Sequence, residues 1–157
     1  MGELVTTVIK ASSFQERDKA LEILKKIKEF NDRDILTCLY VFDNIGNGEY
    51  EGFSAYANDK LVGFILFTKN SLALDVFELL WIVVDPDWQG NGIGSLLMEK
   101  FLEEMKIRNA RIIILHTSEH YLKAKSLYKK YNFNCEAVIK DFYDIGDSKE
   151  IWVLRLK

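Results

Sequence analysis

A chain of 157 residues, 48% of them hydrophobic and 13% aromatic with a single proline, has enough apolar material for one sizeable core and too little length for two ordinary domains. Its formal net charge of -3 excludes the general cationic field that gathers nucleic acid or an anionic membrane, so a large anionic ligand needs a local device. No stretch approaches the length of a membrane span, no basic segment leads into an apolar run at the start, and Cys38 and Cys135 lie in apolar contexts without metal-ligand spacing; the expectation is a cytoplasmic chain with buried, reduced thiols and no metal.

Residues 4–9 read as a first strand, in preference to the loose myristoylation spacing of Gly2 and Thr6. Ser13 followed by Glu16 makes a capping box, and Ala20, Leu21, Leu24 and Ile27 recur behind it at helical spacing. Asn31, Asp32 and Asp34 open a second helix through Ile35, Leu39 and Phe42, which the Gly46-Asn47-Gly48 turn ends. Two strands, Tyr50–Ala57 and residues 61–68, are joined by the hairpin signal Asn58-Asp59-Lys60, and a long strand follows over about residues 73–84. Asp85-Pro86 stops it, and a glycine-rich run leads into a helix with Leu97, Met98, Phe101, Leu102 and Met105 on one face. A short β-branched strand at 111–117, a helix at 119–130 closed by Asn132 as a left-handed C-cap, and strands at 133–139 and 150–156 complete the chain. The sum is one layered α/β (α+β) domain over residues 1–157, with a mixed sheet of six or seven strands and about four helices.

The most informative segment is Gln89-Gly90-Asn91-Gly92-Ile93-Gly94-Ser95. Its glycines let successive N–H groups point into one concavity at a helix N-terminus, where the helix dipole adds positive potential; such a concavity suits phosphate and removes the need for a lysine cluster. A Rossmann fingerprint needs glycine where Ser95 stands, and a Walker loop needs a lysine after Gly94, so both spacings fail. What remains is Gln/Arg-x-x-Gly-x-Gly/Ala, met by Gln89, Gly92 and Gly94. A bare strand-to-helix connection would need one glycine, not three at motif spacing.

On these residues the chain resembles the GNAT superfamily of acyl-CoA-dependent N-acetyltransferases. Residues 79–105 resemble its pyrophosphate-binding motif A, and Ala124-Lys125-Ser126-Leu127-Tyr128 followed by Tyr131-Asn132-Phe133 resembles its motif B. Asp141-Phe142-Tyr143 and Gly146-Asp147 resemble a strand-connecting loop of the branch that acetylates protein N-termini. The resemblance implies a mostly antiparallel mixed sheet whose fourth and fifth strands splay at their C-terminal ends to admit the pantetheine arm of acetyl-CoA. It implies backbone contacts to that arm from Val83 and Val84, an amide of the Ile82 to Val84 segment facing the thioester carbonyl, and close passage beside the small Ala124. Tyr131 shares the helix face of Ala124, Tyr128 and Tyr121. Tyr128 matches the family tyrosine that stands near the sulfur and protonates the departing thiolate; its plainer reading is an aromatic core residue.

Two candidates compete for the base. His116 ends the fifth strand where the N-terminal acetyltransferase branch carries a glutamate, and Glu78 lies in the fourth strand where relatives often carry an acid; the plainer reading of His116 is a polar strand-end residue. His120 reads as surface, Trp81 and Phe77 as core. Asp141, Tyr143, Asp144 and Asp147 are either an acceptor-side loop favouring a cationic amine or an ordinary solvated turn, and Lys125, Lys129 and Lys130 either approach the 3′-phosphate or form a solvated helix face. The implied activity is transfer of acetyl from acetyl-CoA to a primary amine by direct attack, with a non-catalytic acyl-CoA sensor or interaction module of the same fold, or another nucleotide at the same loop, as alternatives. The expected partners are acetyl-CoA and a small-molecule or peptide amine, with no nucleic acid or membrane and a possible homodimer through late strands.

Overall fold

The computed structural model describes residues 6–157. In chain order it contains β1 (Thr7–Ala11), a 3-10 turn (Phe14–Glu16) running into α1 (Arg17–Leu24), α2 (Asp32–Asp43), β2 (Tyr50–Ala57), β3 (Lys60–Lys69), β4 (Val76–Val84), a second 3-10 turn (Pro86–Trp88), α3 (Ile93–Ile107), β5 (Ile112–Ser118), α4 (Leu122–Lys130), β6 (Asn134–Asp144) and β7 (Asp147–Arg155). The strands order as β1-β2-β3-β4-β5-β7-β6. Only a crossover lets neighbouring strands run parallel, and α3 supplies it for β4 and β5. Their ladder runs Val76↔Ile112 to Glu78↔Ile114, short of the C-terminal ends of both strands, as splayed central strands require. The β1–β2, β5–β7 and β6–β7 pairs are antiparallel.

Local signals explain most boundaries. Ser13 and Glu16 form the expected capping box, and Asn31 with Asp34 forms a second at the start of α2. Asn58 and Asp59 take φ of 51° and 61°, the left-handed pair that a two-residue hairpin needs. Asn132, at φ 69°, ends α4 in a Schellman arrangement: Phe133 N–H reaches Tyr128 O at 3.0 Å and Asn132 N–H reaches Lys129 O at 3.1 Å.

Several expectations need correction. Part of the first strand expected at 4–9, and Gly2, lie outside the described residues, and β1 continues to Ala11. Within α1 the buried positions are Ala20, Ile23 and Leu24, so Ile23 replaces Leu21, and Ile27 falls beyond the helix end. β4 begins at Val76 because Asp75 turns the chain at φ 54°. α4 begins at Leu122, since Ser118 Oγ accepts from His120 N–H at 3.1 Å and holds the preceding residues in a turn. β6 runs on to Asp144, so the expected loop is the end of a tight hairpin. Cys38 is buried as expected, but Cys135 is exposed because β6 is an edge strand with all eleven positions exposed.

The chain divides into two compact units. The first holds the described chain up to Phe67 together with Trp81–Glu104, and the second holds Thr68–Leu80 with Met105–Lys157. In the first, Phe42 meets Phe64 edge-on at 4.9 Å and Phe67 meets Phe101 at 5.1 Å, with Leu97 and Met98 fully buried. In the second, Ile113, Leu115, Phe77 and Leu79 are buried, and Tyr128 packs near Phe133 and Trp152 at 5.9 and 6.3 Å. Among the described residues no helix is long and apolar enough to cross a membrane.

Candidate active site

In the first unit, the last residues of β4, Ile82, Val83 and Val84, deliver the chain to Asp85, whose N–H donates to Val62 O at 2.8 Å. Asp85 is fully buried, and its carboxylate accepts from Asp87 N–H at 2.9 Å and so caps the Pro86–Trp88 turn. Gly90 and Gly92 follow with φ of 84° and 75°, conformations that L side chains rarely adopt, and a Cβ added at either would meet no protein atom within 4 Å. The Asn91 side chain between them folds back to donate to Trp88 O at 2.9 Å. The α3 ladder begins with Leu96 N–H on Gly92 O at 3.0 Å, so the amides of Gly92, Ile93 and Gly94 precede the first intrahelical bond. Ile93 itself is 1% exposed, which makes its side chain an anchor in the core and leaves only its backbone for a ligand. Gln89 is exposed and Ser95 half-buried. An open-sided turn of positive-φ glycines at the positive end of a fifteen-residue helix can hold an anion without a cationic side chain.

Gly63 is a participant that sequence reading missed. A Cβ there would stand 2.8 Å from Val83 O and 3.3 Å from the side chains of Ile93 and Leu97. Its absence therefore lets β3 come close to both the end of β4 and the start of α3. Nothing marked it in the sequence beyond an isolated glycine inside a strand pattern.

In the second unit the two rival bases are neighbours. Glu78, the one charged residue in the apolar strand Val-Phe-Glu-Leu-Leu-Trp-Ile-Val-Val, places Oε1 3.9 Å from Nε2 of His116. Both side chains are about one-third exposed, at 32% and 31%. Burial lowers the His116 pKa first and the Lys149 ammonium lowers it further, against the opposing pull of Glu78. At 3.9 Å the carboxylate is beyond hydrogen-bond reach, so burial and Lys149 win and the imidazole is neutral at pH 7.

Tyr128, 6% exposed, has its phenol pushed well above the ordinary tyrosine range by burial, so it keeps its proton. Ala124 is half-buried on the same helix. Tyr121 and Tyr131 do not share its face as helical residues: they are the N-cap and C-cap that bracket α4.

The lysines and the acidic turn settle into structural partnerships. Lys125 turns into the protein, its ammonium 2.9 Å from Glu119 O and 3.0 Å from the Glu150 carboxylate, while Lys129 and Lys130 lie over the rings of Trp152 and Tyr131. Asp141 takes φ 55° and caps Gly146 N–H at 2.8 Å, Asp144 caps Ile145 N–H at 2.7 Å, and Asp147 accepts from Ser118 Oγ at 2.5 Å. These carboxylates hold the hairpin's turn, the plainer of the two readings open in the sequence. His120 is exposed as expected, with Nε2 2.8 Å from Gly146 O. Phe77 is core, whereas Trp81 is half-buried against Phe30 at 5.5 Å, edge to face.

Comparison with known proteins gives the family and the fold. The Acetyltransferase (GNAT) family matches residues 17–133, about three quarters of the chain, and the chain belongs to that family. The [ribosomal protein bS18]-alanine N-acetyltransferase of Escherichia coli K12 is 29% identical over 101 residues, covering 64% of this chain and just under two thirds, 66%, of the relative. The crystal structure of the Escherichia coli ribosomal-protein-S18-alanine N-acetyltransferase superposes with a TM-score of 0.81 at 22% identity over 97% of this chain and 95% of the other. The PaiA N-acetyltransferase of Thermoplasma acidophilum, solved in complex with coenzyme A, superposes with a TM-score of 0.76 at 17% identity over 96% and 99% of the two chains. At such identities the two superpositions speak for the shared fold.

Proposed function

We propose that this protein transfers the acetyl group of acetyl-CoA to a primary amine by direct attack through a tetrahedral intermediate, and that the acceptor is the α-amine of a peptide or protein. The observation that carries the reading is the loop: two positive-φ glycines, open on the side a Cβ would occupy, at the N-terminus of α3. These residues fit a diphosphate, with the backbone of Gly90, Asn91, Gly92, Ile93, Gly94 and Ser95 as its donors and Gln89 at the rim. Acetyl-CoA supplies an activated thioester. Val83 and Val84 offer backbone groups to its pantetheine arm, and one amide of the 82–84 segment faces the developing oxyanion, worth about 3 kcal/mol for a donor of this kind.

His116 takes a proton from the acceptor ammonium so that the neutral amine attacks the thioester carbonyl, with Glu78 favouring the imidazolium that results. A histidine with a lowered pKa suits an α-amine, whose own pKa is about 8, better than a lysine side chain near 10.4. The relatives that act on an alanine N-terminus favour the same acceptor class. Tyr128 is too weak an acid to surrender its proton fully to a thiolate of pKa about 8.5, so its role is to donate a hydrogen bond to the leaving sulfur. The test is thiol release from acetyl-CoA across a panel of alanine-initiated peptides, a lysine side-chain amine and a polyamine. Release with the peptides first is expected. Coenzyme binding without release for any amine would make the protein a binding module instead.

A further inference from the structure

We propose that Lys26 is a positioning residue for the coenzyme-binding loop, acting through the buried carboxylate of Asp85; this rests on the reading of that loop given above. Asp85 is held on every polar atom. Its N–H donates to Val62 O and its carbonyl accepts from Trp88 N–H, both at 2.8 Å. Its carboxylate accepts from Asp87 N–H at 2.9 Å and from Lys26 Nζ at 3.0 and 3.2 Å. The same ammonium reaches Asp87 Oδ2 at 3.0 Å, so one cation from the segment after α1 clasps the two carboxylates that flank Pro86. Downstream, Trp88 O and Gln89 O receive the Asn91 amide at 2.9 and 3.4 Å, which links the clasped turn directly to the residue between the two positive-φ glycines.

The physics makes the clasp more than a surface ion pair. The Asp85 side chain is 1% exposed, and a buried carboxylate that loses its cation must take up a proton or move toward water. Either response shifts the Pro86–Trp88 turn, and with it the amides that follow. The Lys26 pKa is raised by its hydrogen bonds to Asp85 and then to Asp87, so the cation is present throughout the physiological range. The connection that carries Lys26 is itself fixed on β4, since Phe30 meets Trp81 edge-on. The clasp therefore has a firm base.

The experiment is calorimetric titration with coenzyme A on the wild type, Lys26→Met and Lys26→Arg, with melting temperatures and steady-state constants measured in parallel. Loss of the clasp should weaken coenzyme binding by about tenfold, as small misplacements of a rigid site do. The KM for acetyl-CoA should rise in proportion while kcat and the acceptor's KM hold, and Lys26→Arg should recover most of the affinity. A purely structural lysine would lower the melting temperature and leave the affinity of the folded protein unchanged; that result overturns the proposal. If Lys26→Met fails to fold, Lys26→Met with Asp85→Asn removes the buried charge along with its partner. That double variant keeps a cap for Asp87 N–H but no clasp, so wild-type affinity in it also overturns the proposal. Wild-type protein that does not bind coenzyme A would instead refute the loop assignment itself.

Discussion

Replacing Gly92 by valine separates what the loop costs the fold from what it does for the ligand. Gly92 sits at φ 75°, and a Cβ there meets no protein atom within 4 Å, so the folded protein has room for the new side chain. The penalty to stability is then backbone strain alone, about 1–3 kcal/mol for an L residue held in the left-handed region. In a chain of this size each kcal/mol lowers the melting temperature by about 2–4 °C, so the variant should fold and melt a few degrees early. The ligand has no such room, because the side chain projects into the open side of the turn where the diphosphate is proposed to lie. Loss of one amide hydrogen bond to a charged group, about 1.5–3 kcal/mol, weakens coenzyme A roughly tenfold to a hundredfold. Thermal denaturation without ligand and calorimetry with it measure the two effects independently. A lowered melting temperature with an unchanged Kd would place the phosphates elsewhere and refute the reasoning.

The other expected outcomes concern protons and packing. The rate should rise with pH through a limb below the ordinary histidine value of about 6.5 and be level by pH 7; His116→Ala should abolish the limb and leave coenzyme Kd intact, and a superimposable profile would remove His116 as base. Lys149→Met should move that limb upward and Glu78→Gln downward, because Lys149 lowers and Glu78 raises the His116 pKa; shifts of the opposite sign would contradict the pair's electrostatics. The same depression sets a stability trend. The unfolded histidine binds its proton first, so the contribution is intact above about pH 6.5 and is lost as pH falls toward the folded-state value, which chemical denaturation of wild type against His116→Ala across that window would reveal. Tyr128→Phe keeps the ring packing on Phe133 and Trp152 and should slow turnover only about threefold to tenfold, the worth of one hydrogen bond, whereas a collapse of activity would mean full proton transfer. Gly63→Ala forces a methyl to 2.8 Å from Val83 O and should cost about 1–3 kcal/mol of stability together with coenzyme affinity; a neutral result would show that β3 has slack against β4.

Sequence alone determined the features whose physics is local. Capping boxes at Ser13 and Asn31, the Asn58-Asp59 turn, the left-handed stop at Asn132 and the glycine loop ahead of α3 all follow from residues within a few positions of one another. The spacing of Gln89, Gly92 and Gly94, with the tyrosine-bearing helix behind it, was enough to identify the family. What tertiary structure decided is every partnership across sequence distance. Glu78 and His116 compete as bases in the sequence and stand 3.9 Å apart in the fold, because the parallel β4–β5 pairing brings their strands together. Lys149, which helps lower the His116 pKa, arrives on β7, two ladder positions from Ile151, the partner of His116. Lys125 has the look of a solvated or phosphate-facing lysine until Glu150 claims it, and Cys135 has the look of a buried thiol until its strand becomes the sheet's edge. Lys26 and Asp85 are 59 residues apart, and Gly63 faces Val83 across a strand pair. No periodicity or motif encodes such distances; they exist only once the core has closed and fixed which faces meet.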